Sequence, residues 1–286
     1  MATLAEVRRR IASLKNMQQI TKAQEAVAAS RLRRAQARAA AARPYADRMA
    51  EVLAEVASRV STYRHPFLIP REVRKRLLML VTADRGLAGG LNVNVFRVAS
   101  RYIQEGPPTT LDTIGRKGRD FFRRLQLPIV SDVSQFGDWP ELKDILPAIT
   151  VGIDEYLAGN VDEVAIAYTH FVSMTRQQPT VAVLVPVTVP ERREGPRVDY
   201  LYEPEAEVVL SRLLPRYVEA QVYAAVLDNK ASEQAARMIA MRSATDNAGD
   251  LIEDLTLLRN KVRQATITKE LMEVVGGAEA LAAAGR

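Results

Sequence analysis

Cysteine is absent from the chain, which removes disulfides, thiol nucleophiles and thiolate metal sites and fits a reducing compartment. Only two histidines are present, His65 and His170, and neither has metal-ligand spacing to a partner. No Ser-His-Asp order and no HExxH motif occurs, and paired acids such as Glu253-Asp254 read as solvated helix surface. Apolar runs stay short, Val181 to Val187 being among the longest, so no segment is expected to span a bilayer. Glycine and proline are missing where their absence says most. Residues 2–59 hold no glycine and one proline, Pro44; between Pro215 and Gly276 there is no proline and one glycine, Gly249.

Each of these two stretches allows a helix of about 85–90 Å at 1.5 Å rise per residue. A helix that long cannot be covered by a compact core, so each needs a partner of similar length. Leu4, Val7, Ile11 and Leu14 repeat at the spacing of a coiled-coil seam, and Thr3 with Glu6 forms a capping-box pattern. Ten alanines fall between Ala23 and Ala42, interleaved with Arg31, Arg33, Arg34 and Arg38, which gives a slim helix. Pro44 is expected to kink this helix without ending it. At the other end Leu251, Leu255, Leu258, Val262 and Ala265 form the expected stripe, and Gly249 reads as a weak or hinging point.

Between the ends the period changes. Strands are expected at 77–81, 110–114, 129–133, 164–172 and 180–189, with helices at 93–105, 117–125 and 141–158. Pro186 assigns the last strand to an edge. The expected fold is α/β plus long α: an antiparallel coiled coil of N- and C-terminal helices (residues 1–60 and 205–286) with a central Rossmann-like α/β domain (74–190).

The glycine-rich turn at 82–92 raises nucleotide binding, but its spacing is G-x-x-G-G and no G-K-[ST] is present. The second strand ends Ile114-Gly115-Arg116-Lys117, without the acid that holds a ribose. Net charge is +6; residues 1–60 carry 12 Lys+Arg against 5 Asp+Glu, so the rest sums to −1. The electropositive surface is therefore expected on the N-terminal helix, either as a solvated face or facing something acidic, nucleic acid or protein. Against nucleic acid, Tyr45 is the one aromatic before residue 60. No catalytic, cofactor or metal constellation emerges.

Ile11-Ala12-Ser13, the run Ile20 to Ser30, Arg43-Pro44-Tyr45, TADRGLAGGLN at 82–92 and Asp199 to Pro204 resemble the gamma subunit of the F-type rotary ATP synthase. So do the runs Ala231 to Met238, Ala244 to Gly249 and Arg263 to Leu271, so that the match covers essentially the whole chain. The resemblance implies a non-catalytic central rotor shaft, one copy per complex, inside a ring of three alpha and three beta subunits. The α/β domain would be a foot bound to epsilon and the c-ring, and proton flow would turn the assembly to drive ATP synthesis. It implies beta-subunit contacts for Lys22, Ala23, Gln24, Thr82, Ala83, Asp84 and Ala88, and upper beta contacts for Arg263, Gln264 and Thr268. Glu233 and Arg237 would lie in a coupling region, also against beta. Tyr200, Tyr202 and Glu203 would face the c-ring and epsilon. Many relatives carry Met at the position of Gln24 and Cys at that of Ala88, and the cysteine-bearing insert of the chloroplast form is missing. With no transit peptide apparent, the expected place is peripheral, on the cytoplasmic face of a bacterial inner membrane, without cofactor, membrane insertion or nucleic acid.

Overall fold

The computed structural model describes residues 3–59, 65–189 and 205–284. Two compact units make up the chain: residues 28–238, and a pair of helical segments from residues 1–27 and 239–286. Helix α1 (Leu4–Arg59) opens on the capping box read from the sequence: the Thr3 N–H donates to Glu6 Oε2 at 2.9 Å and the Glu6 N–H to Thr3 Oγ1 at 3.3 Å. It remains helical through Pro44. Helix α5 (Ala206–Ala284) starts nine residues before Pro215, which therefore lies inside it.

The larger unit is built on five strands: β1 (Arg76–Val81), β2 (Thr109–Ile114), β3 (Ile129–Val133), β4 (Glu163–Phe171) and β5 (Gln177–Val185). Their order is β3-β2-β1-β4-β5, with β5 antiparallel and the other neighbours parallel. Helices α2 (Leu91–Gln104), α3 (Arg116–Arg124) and α4 (Leu142–Leu157) connect them. β5 is an edge strand, as the proline content required; it tolerates Pro179 and stops at Val185, before Pro186.

The central strand β1 is a continuous apolar run because both faces of the sheet are covered. On one face α2 and α3 bury Val95, Ala99 and Phe122 against Leu78, Leu80 and Leu111. On the other, α4 supplies Ile145, Ala148 and Ile149, and the long helices themselves complete the core. Leu53 and Val56 of α1 and Leu210, Leu214, Val218, Val222 and Val226 of α5 all pack there. The terminal helices thus share one core with the sheet before they pair with each other. Their pairing begins at Ala28, Leu32 and Ala35 against Ala231, Ala235 and Met238, where small side chains allow close approach.

In the smaller unit the two segments are antiparallel. Gln18 Nε2 donates to the Thr245 carbonyl at 3.4 Å, Thr21 and Thr245 share a hydroxyl hydrogen bond of 2.7 Å, and Arg242 Nε holds Glu25 at 2.9 Å. Val7 and Ile11 are buried and Leu14 half-buried, as the seam required. The α5 stripe differs from the expected one. Met241, Ala248, Ile252, Leu255 and Val262 face inward, whereas Leu251, Leu258 and Ala265 are exposed. The helix is continuous at Gly249, and its lack of a side chain has a packing reason: a Cβ there would stand 3.2 Å from Gln18 Nε2.

Candidate coupling site

The glycine-rich turn after β1 is held by hydrogen bonds to its neighbours. The Ala83 N–H donates to Asn92 Oδ1 at 3.1 Å. Thr82 Oγ1 donates to the Gly115 carbonyl at 3.2 Å and accepts from the Gly118 N–H at 2.9 Å. The Lys117 N–H donates to the Ala83 carbonyl at 3.1 Å. Asp84 caps two segments at once, its Oδ1 accepting from the Arg116 N–H at 2.9 Å and its Oδ2 from the Gln135 N–H at 3.1 Å. The first three N–H groups of α3, the donors that would cradle a phosphate, are therefore already satisfied by this turn.

In a doubly wound sheet the ligand crevice opens at the carboxyl ends of the strands, where the strand order reverses. Here that place, at the ends of β1 and β4, is filled by α5. Asn229 Oδ1 accepts from the Thr169 N–H at 3.4 Å, and Ser232 Oγ donates to the Thr169 carbonyl at 3.1 Å. One turn on, Arg237 Nη2 reaches the Gly86 carbonyl at 3.2 Å and Glu233 Oε1 at 2.7 Å. Lys230 closes the cluster, 3.3 Å from Glu233 Oε2 and over the Phe136 ring. Beside it is a cleft of about 360 Å³ lined by Asp84, Arg85, Arg116 and Lys230 among others.

The loop after β3 fastens the same sheet to α1. Asp138 pairs with Arg31 at 3.1 Å, and the guanidinium groups of Arg34 and Arg38 lie 5.9 and 5.2 Å from the centre of the Trp139 ring. The α/β module is thereby tied to both long helices.

Thr82, Ala83, Asp84, Ala88, Glu233 and Arg237 are brought together at this joint. Burial leaves the side chains of Thr82, Ala83, Ala88 and Glu233 with no surface to offer a partner. What the turn exposes is Arg85, Gly86, Leu87, Gly89 and Gly90. In the smaller unit Lys22 and Ala23 are exposed and Gln24 is half-buried; Arg263, Gln264 and Thr268 are exposed, with Thr268 Oγ1 turned back onto the Gln264 carbonyl at 3.0 Å. Tyr200, Tyr202 and Glu203 lie outside the described residues. Sequence reading missed Asn229, Lys230, Ser232, Asp138 and Trp139. The polar run Asn229-Lys230 and Ser232-Glu233-Gln234, broken only by Ala231 and too polar for an ordinary seam, was the available signal.

Two long terminal helices fastened to an α/β module, with one of those helices filling the place of the ligand crevice, define the fold class: α/β plus long α. A family model described as ATP synthase matches residues 3–281, and the chain belongs to the gamma-subunit family of the F-type ATP synthase. Among solved structures it is similar to a chain of the Tetrahymena thermophila mitochondrial ATP synthase central stalk and c-ring. The identity is 26%, over 79% of this chain and 99% of that one, with a TM-score of 0.59. Two Euglena gracilis mitochondrial ATP synthase chains share the fold. One is from the rotor in rotational state 1, at 16% identity over 92% of this chain and 98% of that chain, with a TM-score of 0.64. The other is from the OSCP/F1/c-ring in state 3, at 20% identity over 99% and 96%, with a TM-score of 0.69.

Proposed function

We propose that this chain is the central rotor shaft of an ATP synthase. It passes torque between a proton-driven c-ring and the catalytic sites of a ring of three alpha and three beta subunits, and carries out no catalysis itself. The observation that carries this reading is the family match along nearly the whole chain. Physical support comes from the joint: a foot can turn a shaft only if the two are fixed together, and the α/β module is tied to α5 through Asn229, Ser232 and Arg237 and to α1 through Asp138 and Trp139. From Arg263 to Gly276 the α5 surface is exposed, including Ile267, Leu271, Met272, Val274 and Val275. Apolar surface of that extent calls for a cover, and a surrounding ring would supply it.

In this reading Lys22, Ala23 and Gln24 meet the beta subunits. The turn at 82–89 does so through exposed Arg85 and Leu87, which Thr82, Ala83, Asp84 and Ala88 hold in place. Glu233 and Arg237 keep the turn seated on α5, and Arg263, Gln264 and Thr268 make the upper contacts. Tyr200, Tyr202 and Glu203 face epsilon and the c-ring. Coupling requires contacts that differ among the beta conformations, since equal affinity for all of them would shift nothing. The complex would sit peripherally on the cytoplasmic face of a bacterial inner membrane; among the described residues no helix is long and apolar enough to cross it.

Reconstitution tests this. The chain is combined with alpha and beta subunits, a probe is fixed to the α/β module, and ATP hydrolysis and single-particle rotation are followed. ATP-driven stepwise rotation is the expected result. Assembly without rotation would make the chain a scaffold, and failure to enter the ring would overturn the reading.

A further inference from the structure

Helices α2 and α3 lie side by side over one face of the sheet, joined by Phe96 stacked on Phe121 with ring centres 4.4 Å apart and planes 8° from parallel. Their outer sides are cationic. α2 carries Arg97 and Arg101 and no acid; α3 carries Arg116, Lys117, Arg119, Arg123 and Arg124 and one acid, Asp120, for a combined net charge of +6. Asp120 is occupied by Arg119 at 3.1 Å, which also holds Asp132 at 3.0 Å. Among the described residues no carboxylate pairs with Arg97, Arg101, Lys117, Arg123 or Arg124; Arg97 reaches only the side-chain oxygen of Asn94.

Apolar side chains stand exposed among these cations: Phe121 at 37%, Leu125 at 56% and Val93 at 56%. Helical spacing puts Val93, Arg97 and Arg101 in one row, and Lys117, Phe121 and Leu125 in another.

We propose that this α2–α3 face is a membrane-surface site that takes the headgroups of anionic phospholipids. Unpaired arginines match phosphate geometry and gain from a negative leaflet within a Debye length of it. Exposed Phe, Leu and Val between them suit the boundary between headgroups and acyl chains. Nucleic acid fits less well. Stacking of bases needs open ring faces, but Phe121 is covered by Phe96 on one side and abuts the Phe122 ring edge-on at 4.9 Å. Leu125 and Val93 likewise offer nothing to a phosphate backbone. The inference goes beyond the shaft reading and does not rest on it.

The test is co-sedimentation of the full chain with vesicles of phosphatidylcholine alone and of phosphatidylcholine mixed with phosphatidylglycerol. Binding to the anionic vesicles should be at least about tenfold tighter and should weaken with salt. The combined Arg97→Glu, Arg101→Glu and Arg124→Glu variant should lose at least about tenfold, and Leu125→Ser about threefold. Arg-to-Lys changes at the same three positions should keep most of the binding. Reversal of Arg8, Arg9 and Arg10 on α1 should leave it unchanged, and circular dichroism should show every variant folded. Equal binding to neutral vesicles, or loss through the α1 variant in place of the α2–α3 variant, overturns the proposal. So does binding of single-stranded RNA or polyglutamate, but not vesicles, with the same sensitivity to the α2–α3 reversals. No partner subunit is needed in this assay, so its failure leaves the shaft reading intact.

Discussion

Gly115 and Thr82 touch backbone to backbone: a Cβ on Gly115 would stand 2.2 Å from the Thr82 carbonyl oxygen, and the Gly115 φ is +112°. Both the space and the backbone conformation exclude a side chain, at the point where β2 hands over to α3 beside the candidate coupling turn. Gly115→Ala should cost at least about 3 kcal/mol in denaturant unfolding of the full chain. Gly137→Ala is the control, because its φ is also positive at +77° but nothing lies within 4 Å of the added Cβ. It should cost only about 1 kcal/mol. Equal costs would mean that the contact with Thr82 contributes nothing.

Asp112 on β2 is fully buried, with neither carboxylate oxygen in a well-formed hydrogen bond. Burial pushes its pKa up from 3.8 to about 8; the Ser131 hydroxyl on the next strand draws it partly back and the Asp132 charge raises it further. Because the folded value lies above the unfolded one, the unfolded chain loses this proton first as pH rises. Stability from this group is full below 3.8, falls through the window up to about 8, and is flat above it. The slope inside the window is at most about 1.4 kcal/mol per pH unit. Asp112→Asn cannot ionise, so its advantage over the parent should grow between pH 4 and pH 8 by several kcal/mol, up to about 5. Unfolding free energies measured across that range check this, and parallel pH profiles would sink it.

What was legible in the sequence was local. Thr3 and Glu6 cap each other within one turn, β1 is a continuous apolar run, and prolines mark β5 as an edge, so each could be read without knowing a partner. The α5 seam could not. Leu251 and Ile252 are neighbours, either of which continues an apolar stripe, and the choice fell to α1, whose Gln18 and Thr21 rotate Thr245 and Ala248 inward. The same holds for Asn229, Ser232 and Glu233, polar residues buried only because the ends of β1 and β4 meet them. A second basic face was hidden for a related reason: residues 61–286 sum to −1, yet the fold gathers +6 onto α2 and α3.

The joint at Glu233 predicts unequal costs for its members. Lys230 and Glu233 side chains are 7% and 4% exposed, and Arg237 is 13% exposed. Glu233→Ala would strand two cations, one of them buried against the Phe136 ring, and should cost about 3 kcal/mol. Arg237→Ala gives up its own bonds to Glu233 and to the Gly86 carbonyl but leaves Glu233 paired with Lys230, so a smaller cost of about 1–2 kcal/mol is expected. Urea unfolding of both variants checks the order, and a costlier Arg237→Ala would reverse the account of which group anchors the cluster.

Arg263 and Gln264 offer the cleanest separation of function from fold. Both are exposed, and among the described residues neither side chain has a hydrogen-bonding or ionic partner. Arg263→Glu combined with Gln264→Ala should therefore change unfolding stability by no more than about 0.5 kcal/mol. If these side chains grip the beta subunits, the same double variant should weaken the coupling of ATP hydrolysis to rotation and lower proton-driven ATP synthesis in the reconstituted complex. The outcome is informative because the two readouts are independent. A folded variant with impaired synthesis places the upper grip here, whereas unchanged rotation and synthesis would move it elsewhere on α5, first to the exposed row at Ile267, Leu271 and Val274.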